Sequence, residues 1–92
     1  MLIILEIILK SIVSNKKKIL RKKFENYSVP PIESTIEDSA FPNGKKISEI
    51  NICYEENYCI LYIETEEISG NFDRELEEFR SYGWKTLSEY KA

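Results

Sequence analysis

Polar positions near the start of the chain fall at Glu6, Lys10, Ser14, Lys17 and Arg21, in steps of four, four, three and four. Opposite them runs an apolar stripe of Leu2, Leu5, Leu9, Ile12, Ile19, Leu20 and Phe24. That period predicts an amphipathic helix from Leu2 to Asn26, with Glu6 and Lys10 as a favourable pair one turn apart. A break at Ser14-Asn15 would cap a second helix. The β-branched residues Ile3, Ile4, Ile7 and Ile8 pull locally toward a strand, but in this reading the spacing outweighs them.

Pro30-Pro31 ends whatever precedes it, because proline disfavours helical geometry in the residue before it and has no N–H to donate. Within the linker that follows, Ser34 and Glu37 have capping-box spacing, while Ile32, Thr35 and Ile36 suit an edge strand equally well. Asn43-Gly44 signals a turn. From Lys46 to Thr65 strict alternation predicts a β-hairpin. A three-residue loop Glu55-Glu56-Asn57 would pair Tyr54 with Tyr58, Ile52 with Ile60 and Cys53 with Cys59. This register is preferred because it gathers Ile50, Ile52, Tyr54, Tyr58, Ile60 and Tyr62 on one side. A two-residue loop would instead put Cys59, Leu61 and Ile63 with Ile50 and Ile52, exposing Tyr58 and Tyr62.

Asn71 is placed to cap a helix through Tyr82, with Asp73 and Glu75 in the first turn and Phe72, Leu76 and Phe79 on the buried face. Gly83 fits a left-handed C-terminal cap, and Trp84 to Tyr90 suits a short returning strand. The expected class is therefore α+β in the order helix, linker, strand, strand, helix, strand. Residues 1–29 would be a basic amphipathic helix, 30–45 a linker, and 46–92 an acidic ββαβ body packed as a small antiparallel sheet on helices. A chain of 92 residues makes one modest domain.

Charge adds a polarity to this picture. Residues 1–30 hold seven Lys/Arg against two acids, whereas residues 31–92 hold six against fourteen. With 42% apolar residues and eleven aromatics the chain should fold despite 32% charge. Its apolar start ends at Val13, short of the roughly 20 residues that span a bilayer, and the lysines follow it instead of preceding it as in a secretory signal. The expectation is a cytoplasmic protein, not bound to membranes, with both cysteines reduced.

Catalytic chemistry has little to stand on. Histidine is absent, which removes the commonest general base and the usual Ser-His and Cys-His pairs. The three glycines are isolated, so no phosphate-binding loop forms. The Asp73 and Glu77 carboxylates are best read as solvated helix surface, and Cys53 with Cys59 are too few for a structural zinc site. No enzyme activity, metal or cofactor is expected. Tyr54, Tyr58 and Tyr62 alternate as stacking aromatics do on single-strand-binding sheets, but Glu49, Glu55, Glu56, Glu64, Glu66 and Glu67 argue for a covered core face instead.

Two functions follow. The first is a non-catalytic protein-binding module, an acidic inhibitor or an immunity- or phage-type regulator. It would dock Glu64, Glu66, Glu67, Asp73, Glu77 and Glu78 on a basic partner such as a nucleic-acid enzyme or toxin. The second is a nucleic-acid-binding factor using Lys16, Lys17, Lys18, Arg21, Lys22 and Lys23, a cluster that would also suit contact with an anionic membrane surface. The stripe of Leu2, Leu5, Leu9 and Ile12 predicts a homo-oligomer in either case.

Overall fold

The computed structural model describes residues 1–25 and 28–90. Its leading segment is not a helix. Leu2–Ser11 (β1) and Lys17–Phe24 (β2) form an antiparallel hairpin that pairs Ile3 with Phe24 and Lys10 with Lys17. The helix-first α+β class is thereby overturned, and Asn26, its expected last residue, lies outside the described residues.

The physical reason is visible in the spacing. Glu6 and Lys10 are four apart, as are Lys17 and Arg21, and four is also a multiple of the strand period of two, so each pair shares one face of a strand. The single step of three, from Ser14 to Lys17, marks the turn. There the Ser11 hydroxyl accepts from the N–H groups of Val13 and Ser14, and the Lys16 N–H bonds the Ser14 hydroxyl. What looked like a helix break at Ser14-Asn15 is the hairpin loop. β1 is also a central strand: it pairs with β2 on one side, and on the other with Tyr58–Ile63 (β5) and then Glu66–Ile68 (β6), both parallel to it. Such a strand reads as a nearly continuous apolar run, which periodicity alone does not separate from a helix.

Thr35–Asp38 (β3) and Phe41–Cys53 (β4) complete the middle of the chain, so residues 30–45 are not a plain linker. The edge-strand alternative for Thr35 and Ile36 is the one that forms. Asn43-Gly44 is not the turn, which falls at Ser39-Ala40; Gly44 lies inside β4 at φ +86°, and a Cβ there would collide with Thr35 Cγ2. Only glycine suits that crossing. The sheet has seven strands in the order β3-β4-β5-β1-β2 followed by Lys85–Thr86 (β7), with β6 extending the β5 side of β1.

The β4–β5 hairpin adopts the register that Tyr58 and Tyr62 disfavoured: Cys53 pairs with Tyr58, Ile52 with Cys59 and Ile50 with Leu61. The preferred three-residue loop is thus corrected, because the face opposite Tyr58 carries Cys59, Leu61 and Ile63, which all enter the core. Tyr54 is 80% exposed in the turn. Cys53 and Cys59 are one residue out of step on opposite faces, so they do not face each other; both are free thiols.

Phe72–Ser81 (α1) forms where the capping and periodicity place it. Asn71 Oδ1 accepts from Arg74 N–H at 3.1 Å, Phe72, Leu76 and Phe79 are buried, and Gly83 sits at φ +96° just past the end. The strand expected over Trp84–Tyr90 is only the two residues of β7, after which Leu87–Tyr90 (α2) turns once as helix.

The core lies on one side of the sheet. Ile3, Leu5, Ile7 and Leu9 of β1 meet Leu20, Cys59, Leu61 and Ile63 there, closed over by α1 and by the β3–β4 hairpin. Phe41, Phe79 and Trp84 form an aromatic cluster with centroids 5.8–6.3 Å apart. A buried clasp ties the hairpin down: Asp38 accepts from Lys22 Nζ at 2.7 Å, from Trp84 Nε1 at 2.9 Å and from Ala40 N–H at 3.0 Å. Burial alone would raise the Asp38 carboxyl, but these three bonds and the Lys22 charge together hold it below its ordinary value. No helix among the described residues is long and apolar enough to cross a membrane.

Candidate binding face

The pleat sends alternate residues of every strand to the other side of the sheet, and there neither α1 nor the β3–β4 hairpin covers them. Across β1 this open face carries Leu2, Ile4, Glu6, Ile8 and Lys10. β5 contributes Tyr58, Ile60 and Tyr62, which pair in register with Leu2, Ile4 and Glu6. β2 contributes Lys23, Arg21, Ile19 and Lys17, opposite Ile4, Glu6, Ile8 and Lys10. β7 adds Lys85 beside Arg21, and β4 adds Glu49, Asn51 and Cys53 beside Tyr62, Ile60 and Tyr58. Glu67 of β6 stands next to Lys10.

The result is a graded surface. Its centre is apolar and aromatic, with Ile4 and Ile60 nearly covered by their neighbours at 8% and 7% exposure. Its β2–β7 side is basic. Five cations, Lys10, Lys17, Arg21, Lys23 and Lys85, share the face with three acids, Glu6, Glu49 and Glu67, in a chain whose net charge is −3. Arg21 Nε donates to Glu6 Oε1 at 2.8 Å, which neutralises the acid nearest the cations. Lys10, Lys17 and Lys85 make no ion pair among the described residues. The Tyr58 hydroxyl is pushed above its ordinary value, chiefly by the Cys53 sulfur beside it, and stays neutral.

The six cations expected to act together are divided by this pleat. Lys17, Arg21 and Lys23 reach the open face, whereas Lys18 and Lys22 pair with core-side Leu9 and Leu5. Lys22 goes to Asp38 and lies 5.6 Å from the Phe24 ring centroid and 6.0 Å from that of Trp84. Lys16 bonds Asp73 at 3.0 Å. Lys10 and Lys85 were missing from the expected cluster. Lys10 belonged to the period-2 pattern, but nothing local in the sequence brings Lys85 next to Arg21.

The acidic patch is also dispersed. Glu66 binds Lys45 at 2.7 Å, Asp73 binds Lys16 and Glu77 binds Arg80 at 3.0 Å. Glu64 accepts from the Lys46 N–H at 2.9 Å, Glu67 is on the sheet face, and Glu78 is exposed on α1. The oligomer stripe breaks up in the same way: Leu5 and Leu9 are buried in the protein's own core, Leu2 lies on the open face, and Ile12 is 56% exposed at the hairpin tip. A helical stripe has become residues on two faces of a strand, so these four do not make one contact surface.

Two other places were candidates for chemistry. A cavity of about 300 Å³ opens on the covered side between Ile3, Leu5, Leu61, Phe24 and Ile36, with Ser28 and Glu37 its polar members. It offers space but no pair of reacting groups. Asp73 and Glu77 are exposed and bound to neighbouring cations, which is solvated helix surface. No group of three Cys, Asp or Glu among the described residues could hold a metal ion. The chain matches no protein-family model, no curated protein and no solved structure.

Proposed function

We propose that this protein is a non-catalytic binding module that holds a nucleic-acid strand on the open face of its sheet. The observation that carries this reading is the convergence of Lys10 from β1, Lys17, Arg21 and Lys23 from β2, and Lys85 from β7 on one face of the sheet in an otherwise acidic chain. Cations spread along three adjacent strands suit a polymer of regularly spaced phosphates, whose binding releases counterions. The surface is local, so the overall negative charge weakens the long-range attraction without removing the contact.

Docking of the acidic body on a basic protein is the weaker reading. Three of its six acids already hold a cation within the chain, and a partner would have to displace those ion pairs or add little to them.

Binding of a labelled oligonucleotide at several salt concentrations tests the proposal. With three to five phosphate contacts, log K should fall with log salt at a slope of about −2 to −3.5. A Lys17→Glu/Lys23→Glu/Lys85→Glu variant should lose the association, while Glu77→Lys/Glu78→Lys should not. The reading fails if neither a single strand nor a duplex associates at low salt.

A further inference from the structure

Tyr58 and Tyr62 lie four residues apart on β5, on the same face as the cations and on the far side of β1 from them. Each is half-buried, held by neighbours without being covered. We infer that the open face selects single-stranded nucleic acid, with bases stacked on Tyr58 and Tyr62 and the phosphate backbone along β2. This rests on the reading of the face as a nucleic-acid surface and adds which form of the polymer it takes.

The geometry sets the orientation. From β5 to β2 is two strand spacings, about 10 Å. The strip between them is the apolar floor of Leu2, Ile4 and Ile8. A single strand can lay its bases over such a floor onto aromatic rings and keep its phosphates on the basic side. A duplex cannot, because its bases are already stacked inside and phosphates line both its edges.

Glu49, one of the acids that argue against nucleic acid, then becomes part of the orientation. Glu6 and Glu49 are the cross-strand neighbours of Tyr62. Glu49 would repel a backbone running along β4 or β5, whereas Glu6 is held by Arg21; both tolerate bases, whose edges carry no net charge. Of the remaining acids weighed against stacking, Glu55 and Glu56 lie in the hairpin turn, Glu64 accepts from the Lys46 N–H, Glu66 is on the opposite face with Lys45, and Glu67 is on the open face beside Lys10. The local field therefore favours one strand path: phosphate toward Lys17 and Lys23, base toward the tyrosines.

Fluorescence anisotropy with a mixed-sequence strand of about 12 nucleotides, alone and annealed to its complement, provides the test. The expected result is at least tenfold tighter binding of the single strand. A Tyr58→Leu/Tyr62→Leu variant should lose about tenfold or more, while Tyr58→Phe/Tyr62→Phe should bind like the parent, since the ring supplies the stacking. Equal affinity for both forms, which the unmutated protein alone reports, overturns the inference but leaves salt-dependent nucleic-acid binding in place. Association with anionic vesicles and with neither nucleic acid overturns both.

Discussion

The two faces of one sheet differ in how they are finished. On the covered side, odd-numbered β1 residues disappear beneath α1 and a hairpin that is clasped to β2 and Trp84 through Asp38. On the open side, the even-numbered residues of the same strand meet tyrosines, lysines and water. The covered face spends its polar groups on holding itself shut: Lys22, Asp38 and the Trp84 indole satisfy one another. The open face leaves Lys10, Lys17 and Lys85 without an ion-pair partner among the described residues. The sheet thus closes one face and grades the other from basic to acidic, and the proposed ligand lies on the graded side.

The largest expected contrast lies within one hairpin. Cys59 is fully buried on the covered side, and burial, only partly offset by the N-terminal charge, raises its thiol. Cys53, half-buried on the open side, needs little motion to react. Thiol labelling of the native protein should modify Cys53 readily and Cys59 about 10³-fold or more slowly, at the rate set by opening of the core. Comparable rates would mean that the hairpin register is wrong.

Next comes the aromatic lid. Trp84→Ala removes a side chain that is 1% exposed, opens the contact with Phe41 and Phe79, and takes a donor from Asp38. A loss of about 3–5 kcal/mol in denaturant unfolding is expected. A loss within about 0.5 kcal/mol, typical of surface sites, would contradict the burial of this lid.

A smaller effect isolates the clasp. Asp38→Asn keeps the size of the side chain but leaves Lys22 without its carboxylate, for a loss of about 1–3 kcal/mol. Because the folded state holds the Asp38 carboxyl below its ordinary value, its contribution is complete above the unfolded pKa of about 3.9 and disappears as pH falls through the lower folded value. The unmutated protein should therefore lose stability over that acid range, and the variant should lose less. Parallel pH curves would show that the clasp contributes nothing through its charge.

The legibility of these two faces in the sequence was uneven. α1 was readable because its signals are local: a capping Asn71, apolar residues at Phe72, Leu76 and Phe79, and a glycine at the end. β1 was misread because Glu6 and Lys10 satisfy both a helix and a strand, and because a central strand is apolar on both sides. Only Ile3, Ile4, Ile7 and Ile8 carried the right preference. The second hairpin was found, but its register depended on which face would be covered, and that is decided by β1, some fifty residues away in sequence. The open face was the least legible. Lys17, Arg21 and Lys23 were singled out, but separating them from Lys18 and Lys22 requires the pleat, and adding Lys85 requires the pairing of β7 with β2.

The most direct measurement of the central claim is a residue-resolved map of where a single-stranded oligonucleotide touches the protein, from amide and tyrosine-ring NMR shifts during a titration. The account predicts perturbations at Lys10, Lys17, Arg21, Lys23 and Lys85 and at the rings of Tyr58 and Tyr62, with α1 unmoved. Perturbations centred on Asp73, Glu77 and Glu78, or none anywhere at low salt, would contradict it.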